Sequence, residues 1–124
     1  DQPEWQIKVF NNTHALFGKW RWQFNSNQNV SLLVKAYDFS QTPVQGATVS
    51  IQQMNRFGPF GFQILQQGTD YLVENIQNVT DSRGYGMIKI SPPGGSWQSG
   101  EYMATLTVTG PTGTETMGNW FRVG

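Results

Sequence analysis

The chain has 124 residues, which is enough for one domain with its own apolar core. It carries no net charge and only 13% of its residues are charged, so it lacks the basic surface that nucleic-acid binding requires. Aromatic residues make up 14%, too many for a disordered chain, and no apolar run reaches the roughly 18 residues that cross a membrane. We therefore expect a single domain over residues 1–124, with no nucleic-acid partner and no membrane span.

Short segments that alternate apolar and polar residues follow one another along the chain, and none has a helical period. They predict strands at residues 5–10, 16–24, 30–37, 47–51, 71–79 (one or two strands), 87–90, 102–108 and 120–123. Turn residues predict a loop at 38–46, an irregular stretch at 55–61, a hairpin turn at 80–84 and a turn at 110–113. Together they predict an all-β fold, an antiparallel β-sandwich of seven to nine strands.

Three segments of the chain resemble a known family. Residues 34–38 with the run Thr-Pro-Val-Gln-Gly-Ala-Thr-Val at 42–49, the turn Thr-Asp-Ser-Arg-Gly at 80–84, and the strand around Tyr102 are similar to motifs of Ig-like domains in prokaryotic surface proteins. Invasin-type Ig-like repeats and macroglobulin-like domains share these strings. The resemblance implies an Ig-like β-sandwich with Tyr102 in a tyrosine corner, and a structural or adhesive role in an extracellular or cell-surface protein. Small secreted animal domains usually carry disulfides and this chain has no cysteine, so we expect a prokaryotic source.

Little in the sequence points to catalysis. His14 is the only histidine, no nucleophile motif accompanies it, and the carboxylates are scattered along the chain. We therefore expect no enzymatic activity and no cofactor.

A calcium site and an isopeptide bond are two further alternatives. Asp38 and Asp81 lie in predicted turns, where their oxygens and loop carbonyls would suit calcium. An isopeptide bond, known in some surface Ig-like modules, would join Lys8 on the first strand to Asn119 on the last, with Glu101 as proton shuttle. Turn aspartates more often bond their own backbone, and strand lysines are more often exposed.

Three phenylalanines, Phe57, Phe60 and Phe62, cluster on a segment interrupted by Gly58, Pro59 and Gly61. Such a loop is hard to bury completely, and exposed apolar side chains commonly mark a protein contact. We therefore expect these phenylalanines to bind another protein or a neighbouring domain of a larger surface protein. Alternatively, the loop folds back and caps the core.

The tryptophans offer a second functional hypothesis. Trp20 and Trp22 would share one strand face, and flat rings stack on sugars while Asn and Gln side chains bond the hydroxyls. A carbohydrate-binding module that recognises a polysaccharide is therefore one alternative. The other is a fibre subunit that self-assembles by strand exchange, in which the N-terminal strand of one copy completes the sheet of the next.

Asn11, Asn29 and Asn78 each begin an Asn-X-Ser/Thr sequence. All three lie in or beside predicted turns, where a glycan would be tolerated. They are the predicted glycosylation sites, consistent with a surface glycoprotein.

Overall fold

The computed structural model describes residues 5–10, 23–59, 61–110 and 113–124. These residues form nine strands and one short 3-10 turn, Pro93–Gly95. The strands are β1 (Trp5–Phe10), β2 (Gln23–Phe24), β3 (Val30–Asp38), β4 (Thr48–Gly58), β5 (Gly61–Ile64), β6 (Leu72–Gln77), β7 (Tyr85–Ser91), β8 (Gly100–Gly110) and β9 (Gly113–Val123). Over the described ranges, no helix has the length and apolarity needed to span a membrane.

The strands form two sheets that pack face to face. The four-stranded sheet has the order β1-β3-β7-β6, and the five-stranded sheet has the order β2-β9-β8-β4-β5. Neighbouring strands are antiparallel except β2 and β9, which are parallel. The predicted β-sandwich of seven to nine strands is confirmed, whereas its assignment to the Ig-like domains stays a prediction.

Alternate residues of the strands fill the interior, as period-two patterning requires. The buried apolar positions include Val30, Leu32, Val34 and Ala36 on β3, Ile88 and Ile90 on β7, and Ala104, Leu106 and Val108 on β8. Each fully buried large apolar side chain contributes roughly 1.5–3 kcal/mol. A core of this size stabilises the sandwich without disulfides.

Aromatic rings close the core near the start of β8. The Tyr102 ring stacks on Phe121 with centroids 5.0 Å apart, and Trp97 and Phe24 approach these rings edge-on at 5.3–5.8 Å. The Tyr102 hydroxyl donates a 2.6 Å hydrogen bond to the Gln98 carbonyl. This is the backbone contact expected of a tyrosine corner.

The 42–49 and 80–84 motifs meet where the chain passes between the sheets. Thr80 is buried, and its hydroxyl donates to the Val44 carbonyl at 2.7 Å and accepts from the Ala47 N–H at 2.8 Å. Gly84 has φ +81°, and its carbonyl accepts the Ala36 N–H at 2.8 Å. A Cβ on Gly84 would overlap the Ala36 carbonyl oxygen, so this turn requires glycine.

The prediction of irregular structure at 55–61 is wrong. β4 continues to Gly58 and pairs with β5 in a tight hairpin. A register shift between Ile51 and Gln53 changes which residues face inward, so that Met54 is buried. The bulge breaks the alternation of apolar residues, which is why the sequence does not read as one strand.

Candidate functional site

Three aromatic side chains are exposed together on the outer face of the five-stranded sheet. Phe57 is 37% exposed, Phe62 57% and Trp120 47%. We call these three residues the aromatic surface. Ile64, which is 54% exposed, extends it along β5. Large apolar side chains grouped in this way are unusual on a protein surface unless they bind something.

The strand pairing positions these rings. Phe57 on β4 lies directly opposite Phe62 on β5, beside the tight turn that joins the two strands. Trp120 on β9 precedes the buried Phe121, so strand alternation directs it outward. The Phe57 ring centroid lies 5.1 Å from that of Phe62 and 5.4 Å from that of Trp120.

The rings do not form a flat plane. The angle between ring planes is 57° for Phe57 and Phe62, and 31° for Phe57 and Trp120. The three rings therefore make an uneven apolar surface.

Two opposite charges border the aromatic surface. Glu101 on β8 lies in register with both Phe57 on β4 and Arg122 on β9. Among the described residues, the observed ion pair joins Lys89 to Glu74 on the other sheet. Glu101 and Arg122 do not form an ion pair with each other. A depression of about 390 Å³ beside Phe57 and both charged residues continues this surface to the end of the sheet.

The side chains that the structure describes on the rest of this face are uncharged. Its remaining outward positions on β8 and β9 are mostly threonines, namely Thr105, Thr107, Thr109, Thr114 and Thr116. Of the outward-facing residues that the structure describes on β4, β5, β8 and β9, Glu101 and Arg122 are the charged ones. The face therefore carries no net charge and is apolar at one end.

The structure brings together two of the three predicted partner-binding residues. Phe57 and Phe62 lie on strands and contact each other, and both are exposed, so the alternative that they cap the core is wrong. Phe60 lies outside the described residues. Trp20 and Trp22, the predicted sugar-binding residues, also lie outside them.

Trp120 was not predicted as part of a site. The signal was present in the sequence, because Phe121 and Val123 read as inward residues and Trp120 and Arg122 must then face outward. Sequence alone did not show that β9 lies two strands from β4, within reach of Phe57.

The glycosylation sequons differ in accessibility. Asn29 is exposed in the turn before β3. Asn78 is half-buried, and its carbonyl accepts the Val49 N–H at 2.7 Å. Asn11 lies outside the described residues. Of the two described sequons, Asn29 is therefore the more open to a glycan.

The two aspartates considered for calcium bond their own turns. Asp38 Oδ1 accepts the N–H groups of Ser40 and Thr42 at 2.8 and 2.9 Å, and Asp81 Oδ1 accepts the Tyr85 N–H at 3.0 Å. The Tyr85 hydrogen bond is the main reason that the pKa of Asp81 is lowered. The described residues contain no cluster of three metal-binding side chains, so the calcium alternative finds no support.

The isopeptide arrangement is wrong as predicted. Asn119 is buried inside the sandwich opposite Ala104, whereas Glu101 is exposed on the outer face of the same sheet. Glu101 therefore cannot serve as a proton shuttle for Asn119. Neither polar atom of the Asn119 amide has a hydrogen-bond partner among the described residues.

A separate cavity of about 220 Å³ lies at one end of the sandwich, with Arg56, Asp70 and Tyr102 in its wall. The Arg56 guanidinium donates to the Ser99 carbonyl at 2.9 Å, and Asp70 Oδ2 accepts a backbone N–H at 2.8 Å. Burial raises the pKa of the Tyr102 hydroxyl, which is already bonded to the backbone. These hydrogen bonds hold the surrounding loops in place.

Comparisons with known proteins show the fold alone. The chain is similar to part of a family 123 glycoside hydrolase from Clostridium perfringens, with 12% identity and a TM-score of 0.55 over 96% of this chain and 27% of that one. Domains 4 and 5 of the S-layer protein SbsC (9% identity, TM-score 0.49) match over 98% of this chain and 53% of theirs. A FixG-related protein from Vibrio parahaemolyticus (9%, 0.46) matches over 98% of both chains. No family model and no curated protein matches the sequence.

Proposed function

We propose that this chain is a non-enzymatic module of a prokaryotic secreted or cell-surface protein and that it binds another protein through the aromatic surface. The observation that carries the proposal is the contact among Phe57, Phe62 and Trp120, whose rings remain 37–57% exposed. The resemblance of the 42–49 and 80–84 motifs to Ig-like domains of surface proteins supports the role as a module.

The size of the aromatic surface indicates how much it contributes. An aromatic side chain carries on the order of 200 Å² of surface, and about half of each ring is exposed here. At about 25 cal/mol per Å², covering three such rings yields roughly 7 kcal/mol before association costs of about 4–15 kcal/mol. The aromatic surface therefore acts as the centre of a larger interface, with polar contacts around it.

Binding is tested with matched surface variants. The double variant Phe57→Ser/Trp120→Ser removes the aromatic surface, and Phe39→Ser is the control because Phe39 is 65% exposed on a separate loop. A protein captured by the immobilised wild type is identified, purified and titrated against all three chains by calorimetry. We expect similar affinity for wild type and control, and at least about tenfold weaker binding by the double variant, which is about 1.4 kcal/mol.

Two results contradict the proposal. If the purified partner bound the double variant as tightly as it binds wild type, the partner would contact a different part of the chain. Retention of the wild type, but not of the double variant, on insoluble polysaccharide would instead favour the carbohydrate-binding alternative.

A further inference from the structure

We infer that β5 pairs with an extended segment of the partner protein, which adds a strand to the five-stranded sheet beside the aromatic surface. This inference rests on the proposed function and specifies how the same partner is held. Three properties of the described residues support it: the free backbone groups of β5, the side chains next to them, and the contrast between β5 and the other sheet edges.

The backbone of β5 is hydrogen-bonded on one side. β5 ends the five-stranded sheet and pairs with β4 alone. The Leu65 N–H donates to the Met54 carbonyl at 2.9 Å, so in this register the backbone groups of Gln63, two residues earlier, also point toward β4. The N–H and C=O groups of Phe62 and Ile64 therefore point away from the sheet, and no described residue bonds them. An antiparallel segment opposite these two residues would form four backbone hydrogen bonds.

The two residues with free backbone groups also have exposed apolar side chains. Phe62 is 57% exposed and Ile64 54%, and both lie on the outer face. Directly opposed residues of neighbouring strands place their side chains about 5 Å apart on the same face. The residue between the two would face the other side, beside Gln63 in the wall of the cavity that holds Arg56 and Asp70. The segment that fits therefore has an apolar, a polar and an apolar residue in succession.

The other sheet edges have features that discourage strand addition. β1 includes Lys8, β2 has two residues, and β6 includes Glu74 and a bulge between Asn75 and Gln77. β5, Gly61–Ile64, has no charged side chain, no proline and no bulge. Its four residues suit a short segment of a partner rather than the edge of a second sheet.

Methylation of a peptide backbone tests the pairing without changing the protein. A phage library of random peptides of about ten residues is selected against the immobilised chain, and the strongest binder is synthesised. We expect apolar residues at alternate positions of this peptide. Methylating a peptide nitrogen that faces β5 should weaken binding at least about tenfold in a fluorescence anisotropy titration. Methylating the neighbouring nitrogens should change the affinity little, because successive N–H groups point to opposite sides of a strand.

Protein variants and amide exchange locate the paired edge. Ile64→Pro removes the outward N–H and breaks no bond to β4, so it should weaken binding of the peptide, and of the partner purified in the capture experiment, at least about tenfold. Ile64→Val keeps the N–H and an apolar side chain and is the control, which should bind like wild type. In wild type, bound peptide should slow amide hydrogen exchange at Phe62 and Ile64, measured by NMR. This measurement needs no variant, so it decides the question where Ile64→Pro fails to fold.

Each other outcome overturns the inference. A library that yields no binder, an affinity that does not depend on which nitrogen is methylated, or unchanged amide exchange at Phe62 and Ile64 would exclude pairing with β5. A peptide or purified partner that binds folded Ile64→Pro as tightly as wild type would be held by a different part of the chain. In all these cases the titration of Phe57→Ser/Trp120→Ser still decides the proposed function. Conversely, that titration can contradict the proposed function while peptide binding to β5 is observed.

Discussion

Replacing Gly84 with alanine should destabilise the sandwich far more than the same change at Gly68. The two glycines have nearly equal backbone angles, φ +81° and +89°. They differ in their surroundings, because a Cβ at Gly84 would overlap the Ala36 carbonyl oxygen and approach Pro43, whereas a Cβ at Gly68 meets nothing within 4 Å. The loss of stability in Gly68→Ala therefore includes backbone strain but no steric clash. The loss in Gly84→Ala includes both.

The magnitudes follow from these two effects. Left-handed backbone costs alanine about 1–2 kcal/mol, and this applies equally to both variants. The lower entropy of the unfolded alanine chain also affects both and cancels in the comparison. The clash adds about 1–3 kcal/mol at Gly84, because the Ala36 carbonyl is held by the Val44 N–H at 3.0 Å and cannot move without losing that bond. We therefore expect Gly84→Ala to lose about 1–3 kcal/mol more stability than Gly68→Ala.

Urea unfolding followed by tryptophan fluorescence measures both losses, since Trp97 is buried in the core. The slope of the free energy against urea concentration should be the same in all three chains, which shows that the extent of unfolding is unchanged. If Gly84→Ala lost no more stability than Gly68→Ala, the close approach of the 80–84 turn to β3 would not constrain the fold as argued.

Three further predictions concern buried or bonded polar groups. Asn119→Leu should raise the free energy of unfolding by about 1–3 kcal/mol in a urea titration, because the buried amide has no partner among the described residues; a loss of stability would contradict this. Tyr102→Phe should lower it by about 0.5–1.5 kcal/mol, because the ring packing stays and only the hydrogen bond to the Gln98 carbonyl is lost; an unchanged unfolding midpoint would count against that bond. Folding lowers the pKa of Asp81 below its usual 3.8, so its carboxylate stabilises the fold above that pH and loses this contribution as the pH falls through the lowered pKa. The stability advantage of wild type over Asp81→Asn, measured by thermal unfolding at several pH values, should therefore shrink below about pH 4, and an advantage independent of pH would exclude the linkage.

Much of the fold could be predicted because most strands keep strict alternation. The predictions of strands with one buried face at residues 30–37 and 102–108 are correct. The turn predicted at 80–84 also lies between two strands, β6 and β7. The predicted strand at 47–51 ended too early, whereas β4 continues to Gly58, for two physical reasons. The bulge between Ile51 and Gln53 interrupts the alternation of apolar and polar residues, and Gly58 resembles the start of a loop although it ends a strand. β9 was also predicted too short, because its first half carries threonines rather than large apolar residues.

The candidate site was only half predictable. Phe57 and Phe62 stand out as local neighbours in the sequence, and a hairpin brings them together. Trp120 and Arg122 lie more than 60 positions after Phe57 in the chain and join it only because β4 pairs with β8 and β8 pairs with β9. Such long-range pairing depends on sheet order, and the pattern of apolar residues within each strand carries no information about that order.

The position of β9 has a consequence for synthesis of the protein. β9 is the last strand in the sequence, yet it lies between β2 and β8 and supplies Phe121 and Val123 to the core. While a ribosome is still adding these residues, β2 has no neighbour in its sheet and the ring of Tyr102 has no stacking partner. We therefore expect a nascent chain that stops before residue 113 to stay unfolded and open to proteases and chaperones, and to fold only after β9 has left the exit tunnel.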